Sequence, residues 1–292
     1  MFIYKNEVKT LRNINGGEFT GERALFDSHD LKIENARFFD GESPLKESSE
    51  ISLVGCEFAW KYPLWYCEDI SVSDTTFKDT ARSGIWYTNG IFMTDCVIDA
   101  PKTFRRSSDI KLNHVAFNNA LETMWNCSSV ELTDVSVKGD YFGLGATEVV
   151  ADRVDVDGNY LFDGGKNITV RNSRLISKDA FWNCENVLVE NCLIVGEYLG
   201  WNSSNVTFVN CTIESNQGMC YMDNVVLRDC KLVNTDLCFE YCTVDAEITS
   251  HVVSVKNPKS GRIVAESIGE IIHEADKVDV AKTVITEVSK NV

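Results

Sequence analysis

The side chains of this sequence best equipped for chemistry are a few acids and arginines near its middle. Glu122, Asp163 and Asp179 are carboxylic acids. Two such groups at a suitable separation could hydrolyse a glycosidic bond, one as proton donor and the other as base or nucleophile. Arg105 and Arg106, with Arg82 and Lys102 close by, could steady a uronate carboxylate or the enolate-like anion of a lyase reaction. The same residue types on neighbouring strands also make plain surface ion pairs, so type alone does not make them catalytic. There is no G-x-S-x-G, no phosphate loop and no placeable Cys-His pairing. The four histidines, at 29, 114, 251 and 273, are scattered and no C-x-x-C accompanies them, so neither a metal site nor a cofactor is expected.

A second capability is recognition. Trp65, Trp86, Trp125, Trp182 and Trp201, five of the six tryptophans, share one column of a repeat. The column before it (Leu64, Ile85, Phe104, Met124, Phe181) is mostly apolar and reads as inward, which turns the tryptophans outward. The column after it carries Tyr66, Tyr87, Asn126, Asn183 and Asn202. From Trp65 to Trp201 this wall would run on the order of 34 Å at the strand spacing. Sugar rings present apolar C–H faces and hydroxyl edges, so the expected ligand is an extended oligo- or polysaccharide in an aromatic groove. The competing expectation is a structural stack, half buried beneath loops bearing Tyr62, Tyr141, Tyr160 and Tyr198.

The elements that must position these columns follow from the repeat itself. Apolar-x-apolar units start at Leu31, Ile51, Ile70, Ile91, Ile110, Val130, Val149, Ile168, Val187, Val206 and Val225, at intervals of 19 to 21 residues. A fixed period marks a solenoid whose units bury their apolar faces only against one another. The first and third residues of each unit are apolar, the period-2 pattern of a half-buried strand. The fifth is Asn or Asp at 35, 74, 95, 134, 172, 191, 210 and 229, with Gly55 in the same slot, all types suited to left-handed turns. The sixth is often Cys (56, 96, 192, 211, 230), and the eighth is apolar, as in Phe38, Phe58 and Phe77. Strands recurring without helices between them must stack in parallel, which predicts an all-β, right-handed parallel β-helix of 11 to 12 short rungs. A leucine-rich repeat would set its Asn one place later, and a left-handed hexapeptide helix would show a six-residue subperiod.

The solenoid is expected to be one domain over 1–292, with 1–22 as an N-terminal cap, 23–250 as repeats and 251–292 as a C-terminal cap and tail. Net charge is -16, from 44 acids and 28 bases, which disfavours nucleic acid and anionic membranes as partners. No long apolar segment follows a basic start, so a cytoplasmic location is expected. Eleven cysteines, an odd number, then read as free packing thiols.

The segments GERALF (21–26), GESPLKES (41–48), KYPLWYC (61–67), SGIWYT (83–88), KTFRRS (102–107), DAFWNCENV (179–187), GEYLGWNS (196–203) and FEYCTVDAEI (239–248) carry a resemblance over nearly the whole chain. It is similar to a bacterial domain-of-unknown-function family of pectin-lyase-like, single-stranded right-handed parallel β-helix proteins. The resemblance implies the fold; the family brings no established activity. Polygalacturonase-type relatives in the wider superfamily carry Asp-Asp and Gly-His-Gly signatures, and this sequence has neither. The functional expectation is therefore a carbohydrate-binding or carbohydrate-active β-helix, a glycoside hydrolase or polysaccharide lyase if an enzyme. The alternative is a non-catalytic scaffold whose aromatic stripe docks a partner protein or a second copy as a homo-oligomer.

Overall fold

The computed structural model describes residues 12–288, an all-β solenoid of parallel strands with one 3-10 turn at Val280–Lys282. The turn around Val187 shows the plan. Glu185–Glu190 is a six-residue strand with Val187 and Val189 buried and Leu188 facing out. Asn191 turns the chain at φ 56°, Cys192 is buried, and Leu193–Val195 forms a short second strand with Ile194 inside. Residues 196–203 make the third side and lead into the next six-residue strand, Ser204–Val209. Val187 pairs with Ile168 on one side and Val206 on the other, each nineteen residues away.

Stacking identical positions puts like side chains in contact. Phe19, Phe38, Phe58 and Phe77 form a file with ring centroids 5.0, 4.6 and 5.0 Å apart and planes within 17° of parallel. Ile98, Phe117 and then aliphatic residues, among them Val137, Leu175 and Ile213, continue the column inside later turns. A core so built has no thickness beyond one turn's width, so each ring depends on the ones above and below.

The corners are single residues in the left-handed region. In the turn holding Trp182, Asp179, Phe181, Asn183, Asn186 and Asn191 all have φ between 55° and 59°. Asn accepts this backbone readily, and equivalent corners then join by side-chain amides. Asn167, Asn186, Asn205 and Asn224 form a ladder with 3.0 Å steps. Asn172, Asn191 and Asn210 form a second with steps of 3.3 and 2.8 Å. Where that second column lacks amides, charges replace them: His114 Nδ1 lies 2.5 Å from Asp95, and Arg153 donates to both oxygens of Asp134 at 2.7 and 3.0 Å.

The cysteines do more than fill space. All eleven are buried free thiols. Just after a corner, a small side chain reaches a carbonyl of the neighbouring turn: Cys67 Sγ donates to Leu45 O at 3.1 Å and Cys184 Sγ to Phe162 O at 3.0 Å. Thr88 and Ser203 use hydroxyls in the same way, at 2.7 Å each. Cys192, Cys211 and Cys230 stack as expected, with hydrogen bonds linking the thiols. Burial pushes Cys67, Cys127 and Cys184 up to about 12, so these thiols stay protonated and unreactive at neutral pH.

The rung count read from the sequence was low. Fifteen long strands stack from Arg12–Asn15 to Thr283–Glu287, so four turns escaped the pattern. Their starting positions are Arg12, Val244, Gly261 and Thr283, three of them not strongly apolar, and the last two intervals are 17 and 22 residues. End turns have a neighbour on one side only, which relaxes both the apolar demand and the spacing. Residues 12–22, expected to be cap, thus include strands Arg12–Asn15 and Glu18–Phe19 of the first turn. The expected C-terminal cap likewise contains His251–Lys256, Ser260–Ala265, Ser267–Ile272 and Thr283–Glu287. The cap expectations for 1–11 and 289–292 lie outside the described residues. No helix among the described residues is long and apolar enough to cross a membrane.

Phe58→Ala is expected to cost about 3–5 kcal/mol in chemical denaturation, because the ring is fully buried between two others. Phe92→Ala, on the exposed face of the same sheet at 47% exposure, should change stability by less than about 0.5 kcal/mol.

Candidate aromatic binding site

The third side of each turn carries the aromatic and charged columns. Three residues before the tryptophan column runs another: Tyr62, Ser83, Lys102, Glu122, Tyr141, Tyr160, Asp179, Tyr198 and Gln217. Every one has φ between 46° and 61°. Backbone bonds hold successive turns in register here, as in Asp179 N to Glu197 O and Asn183 N to Trp201 O, both 2.9 Å.

The five tryptophans are half-buried, between the two expectations of open wall and covered stack. Four indole N–H groups turn back onto carbonyls of the next turn: Trp65 to Ser83 at 2.5 Å, Trp86 to Lys102 at 2.9 Å, Trp125 to Tyr141 and Trp201 to Gln217 at 2.7 Å. These bonds satisfy the polar edge of each ring while part of the ring stays in water.

Arg105 occupies the tryptophan column between Trp86 and Trp125, and its guanidinium lies 4.7 and 4.4 Å from their ring centroids. It continues the stack begun by Trp65 and Trp86, whose rings are 5.1 Å apart and 7° from parallel. Glu122 binds this arginine at 3.4 Å and Lys102 at 3.0 Å. Indoles cover both faces of Arg105, and of its in-plane donors one amino group meets Glu122 while the buried Nε has no partner among the described residues. Arg106 is exposed beside it. Glu122 stands three positions before Asp179 in its column and is not part of that acid's surroundings.

Asp163 and Asp179 do share surroundings. Asp163 is half-buried and accepts Asn183 Nδ2 at 3.1 Å. Asp179 is 4% exposed. Burial raises its carboxyl above the ordinary aspartate range; Lys178 and a hydrogen bond from the Tyr160 hydroxyl pull it back, while Glu197 and Asp163 add to the rise.

Asp179 also marks a break in the tyrosine column. Tyr141 and Tyr160 stack at 4.4 Å and 2°, and the next position holds Asp179 instead of a ring. A pocket of about 340 Å³ opens there, lined by Tyr160, Lys178, Asp179, Trp182, Tyr198, Trp201 and Gln217. Tyr160 lies nearly parallel to Trp182 at 6.2 Å, Trp182 meets Trp201 edge-on at 6.5 Å and 89°, and Tyr198 meets Trp201 at 5.2 Å and 73°. Lys178 leans over Tyr198, 5.2 Å from its centroid, and pairs with Glu197 at 3.2 Å.

The outer fringe is open to solvent. Tyr66 and Tyr87 are exposed and stacked at 4.8 Å, and Asn126, Asn183 and Asn202 face solvent, with Asn202 donating to Asn183 at 2.8 Å. Lys178 and Gln217 were not anticipated. The signal for Gln217 was the periodic column itself, in which it aligns with Asp179 and Tyr198. Among the described residues, no group of three or more His, Cys, Asp or Glu is arranged to hold a metal ion.

Comparison with known proteins gives the fold and a family. The structure of PfbA, a surface adhesin of Streptococcus pneumoniae, superposes with TM-score 0.50 at 10% identity, over 85% of this chain and 84% of that one. A tailspike protein mutant of E. coli bacteriophage HK620, in complex with a pentasaccharide, gives 0.37 at 11% identity over 94% and 70%. The catalytic domain of a GH87 alpha-1,3-glucanase mutant in complex with nigerose gives 0.35 at 11% over 96% and 64%. At such identities the likeness is one of fold alone. No curated protein matches in sequence. A family model described as "Protein of unknown function (DUF3737)" matches residues 12–286.

Two outcomes test this geometry. At neutral pH Asp179→Asn should be at least as stable as the parent, since the amide keeps the Tyr160 contact without a buried charge. A carboxyl with a raised folded pKa costs stability once pH exceeds its unfolded value, so the variant's advantage should vanish below about pH 4. In thermal melts, Arg105→Ala should lose about 1–3 kcal/mol from the two ring contacts, whereas Arg105→Trp, which continues the stack, should lose less.

Proposed function

The chain belongs to the DUF3737 family, and we propose that it binds an extended carbohydrate along its aromatic face, with the pocket at Asp179 as the principal subsite. The observation that carries this reading is the missing ring. In the column run Tyr141, Tyr160, Asp179, Tyr198, Asp179 stands where its neighbours carry rings, and the gap is walled by Trp182, Trp201, Tyr160 and Tyr198. A pyranose has about the thickness and breadth of the absent ring, and its C–H faces suit the indoles.

The floor and rim supply the polar half of the match. Asp179 and Lys178 would meet hydroxyls at the floor, and the exposed Asn183 and Asn202 follow the pocket's two tryptophans in the chain. Burying an acid in an aromatic pocket is costly to the fold, and such groups mark sites that a ligand completes. Neighbouring sugars would lie over the stripe on either side, since one sugar ring and its linkage span roughly one turn's rise of ~4.8 Å. Should hydrolysis accompany binding, Asp179 and Asp163 are the acids in position to take part; Glu122 is held by Lys102 and Arg105. We also propose a reducing, cytoplasmic setting, which the eleven free buried thiols favour.

Titration of tryptophan fluorescence with oligosaccharides of three to six units should give saturable changes. Tyr198→Ala should weaken binding about tenfold, Tyr198→Phe should weaken it less, and Phe92→Ala, on another face, should have no effect. Silence across neutral, acidic and amino glycans would overturn the reading.

A further inference from the structure

Resting on the carbohydrate reading, we propose that the Asp179 pocket selects a sugar bearing a free, protonated amine, with the ammonium seated between the Asp179 carboxylate and the faces of the surrounding rings.

Three features of the pocket point the same way. The first is charge. Asp179 is almost wholly buried, and the carboxylates of Asp163 and Glu197 act on it electrostatically. The only ammonium on the pocket wall, that of Lys178, is paired with Glu197 at 3.2 Å. Three acids against one lysine leave a net negative site that an ammonium relieves and that a uronate or sulfated sugar would aggravate.

The second is the rings. Aromatic faces are negative at their centres, and a cation within about 6 Å of a centroid is attracted, the more so when water is excluded. Trp182 and Trp201 meet almost at right angles, with Tyr160 and Tyr198 beside them, so a group entering here meets π density from more than one direction. Lys178 already exploits one such face, lying 5.2 Å from the centre of Tyr198.

The third is directional bonding. The Tyr160 hydroxyl lies close enough to act on the Asp179 carboxyl, which keeps acceptor capacity. An ammonium brings three donors and no acceptor, the complement of this floor; a neutral hydroxyl brings one donor, and an N-acetyl group adds bulk and an acceptor.

The probes are hexamers of β-1,4-linked glucosamine, N-acetylglucosamine and glucose, titrated calorimetrically at pH 6 against the full chain. The glucosamine hexamer should bind about tenfold more tightly than either neutral hexamer. Asp179→Asn should abolish that preference, weakening the glucosamine hexamer about tenfold more than the glucose hexamer. Lys178→Ala, which removes the competing ammonium, should widen the preference. Equal affinity of all three hexamers for the parent chain, or a preference that survives Asp179→Asn, would overturn the ammonium assignment while leaving carbohydrate binding intact. Failure of every hexamer to bind, together with a silent wider glycan panel, would remove both.

Discussion

The structure depends on making a corner with one residue and then pairing what that corner exposes. A turn of about nineteen residues with three sides leaves no room for loops. Each bend is therefore a single left-handed residue, as at Asn183, Asn186 and Asn191. Such a bend takes peptide groups out of the regular strand ladder, and a buried unpaired peptide is costly. The chain answers with amide ladders outside and small donors inside, so that Asn186 reaches Asn167, and Cys184 and Ser203 reach carbonyls of the neighbouring turn. Its many asparagines and its buried cysteines are two parts of one solution.

This regularity explains why a site is recognisable at all. In a solenoid each column is a row of equivalent environments, and a change of residue type within a column is a local event with neighbours as controls. Arg105 in the tryptophan column leaves no gap, because a planar guanidinium can lie between indoles much as a ring does. Asp179 in the tyrosine column does open one, because a carboxylate is too small to span the space between Tyr160 and Tyr198. Two departures from the repeat thus have opposite results, one keeping the stack and one creating a pocket with a charged floor. The stack also sets the character of the pocket: one wall, Trp201, is held by its indole N–H bond to Gln217 O and so is formed in advance of any ligand.

The sequence made the strand registers, the inward phenylalanines and the corner asparagines legible because each follows from a repeated local demand. Val187 opposite Val206, and Phe38 opposite Phe58, needed only the period and the alternation of a strand. It was less informative at the ends, where Arg12 and Gly261 occupy positions that interior turns fill with valine or isoleucine. Open ends weaken the burial that enforces the pattern.

For the aromatic face the sequence determined which residues share a column and which column lies beside which, since those are matters of counting. Tertiary structure decided how far each side chain leans from its column. Indole bonds to carbonyls set the tryptophans half-buried, the guanidinium of Arg105 was taken into the stack, and Glu122 was drawn to Lys102 and away from the other acids. Asp179 and Asp163, on adjacent turns and in columns three residues apart, were brought into one electrostatic environment by the stacking of the turns. Rotamers and ion pairs answer to neighbours in three dimensions, so the period could place Asp179 in its column but could not show that its short side chain would leave a ring-sized space.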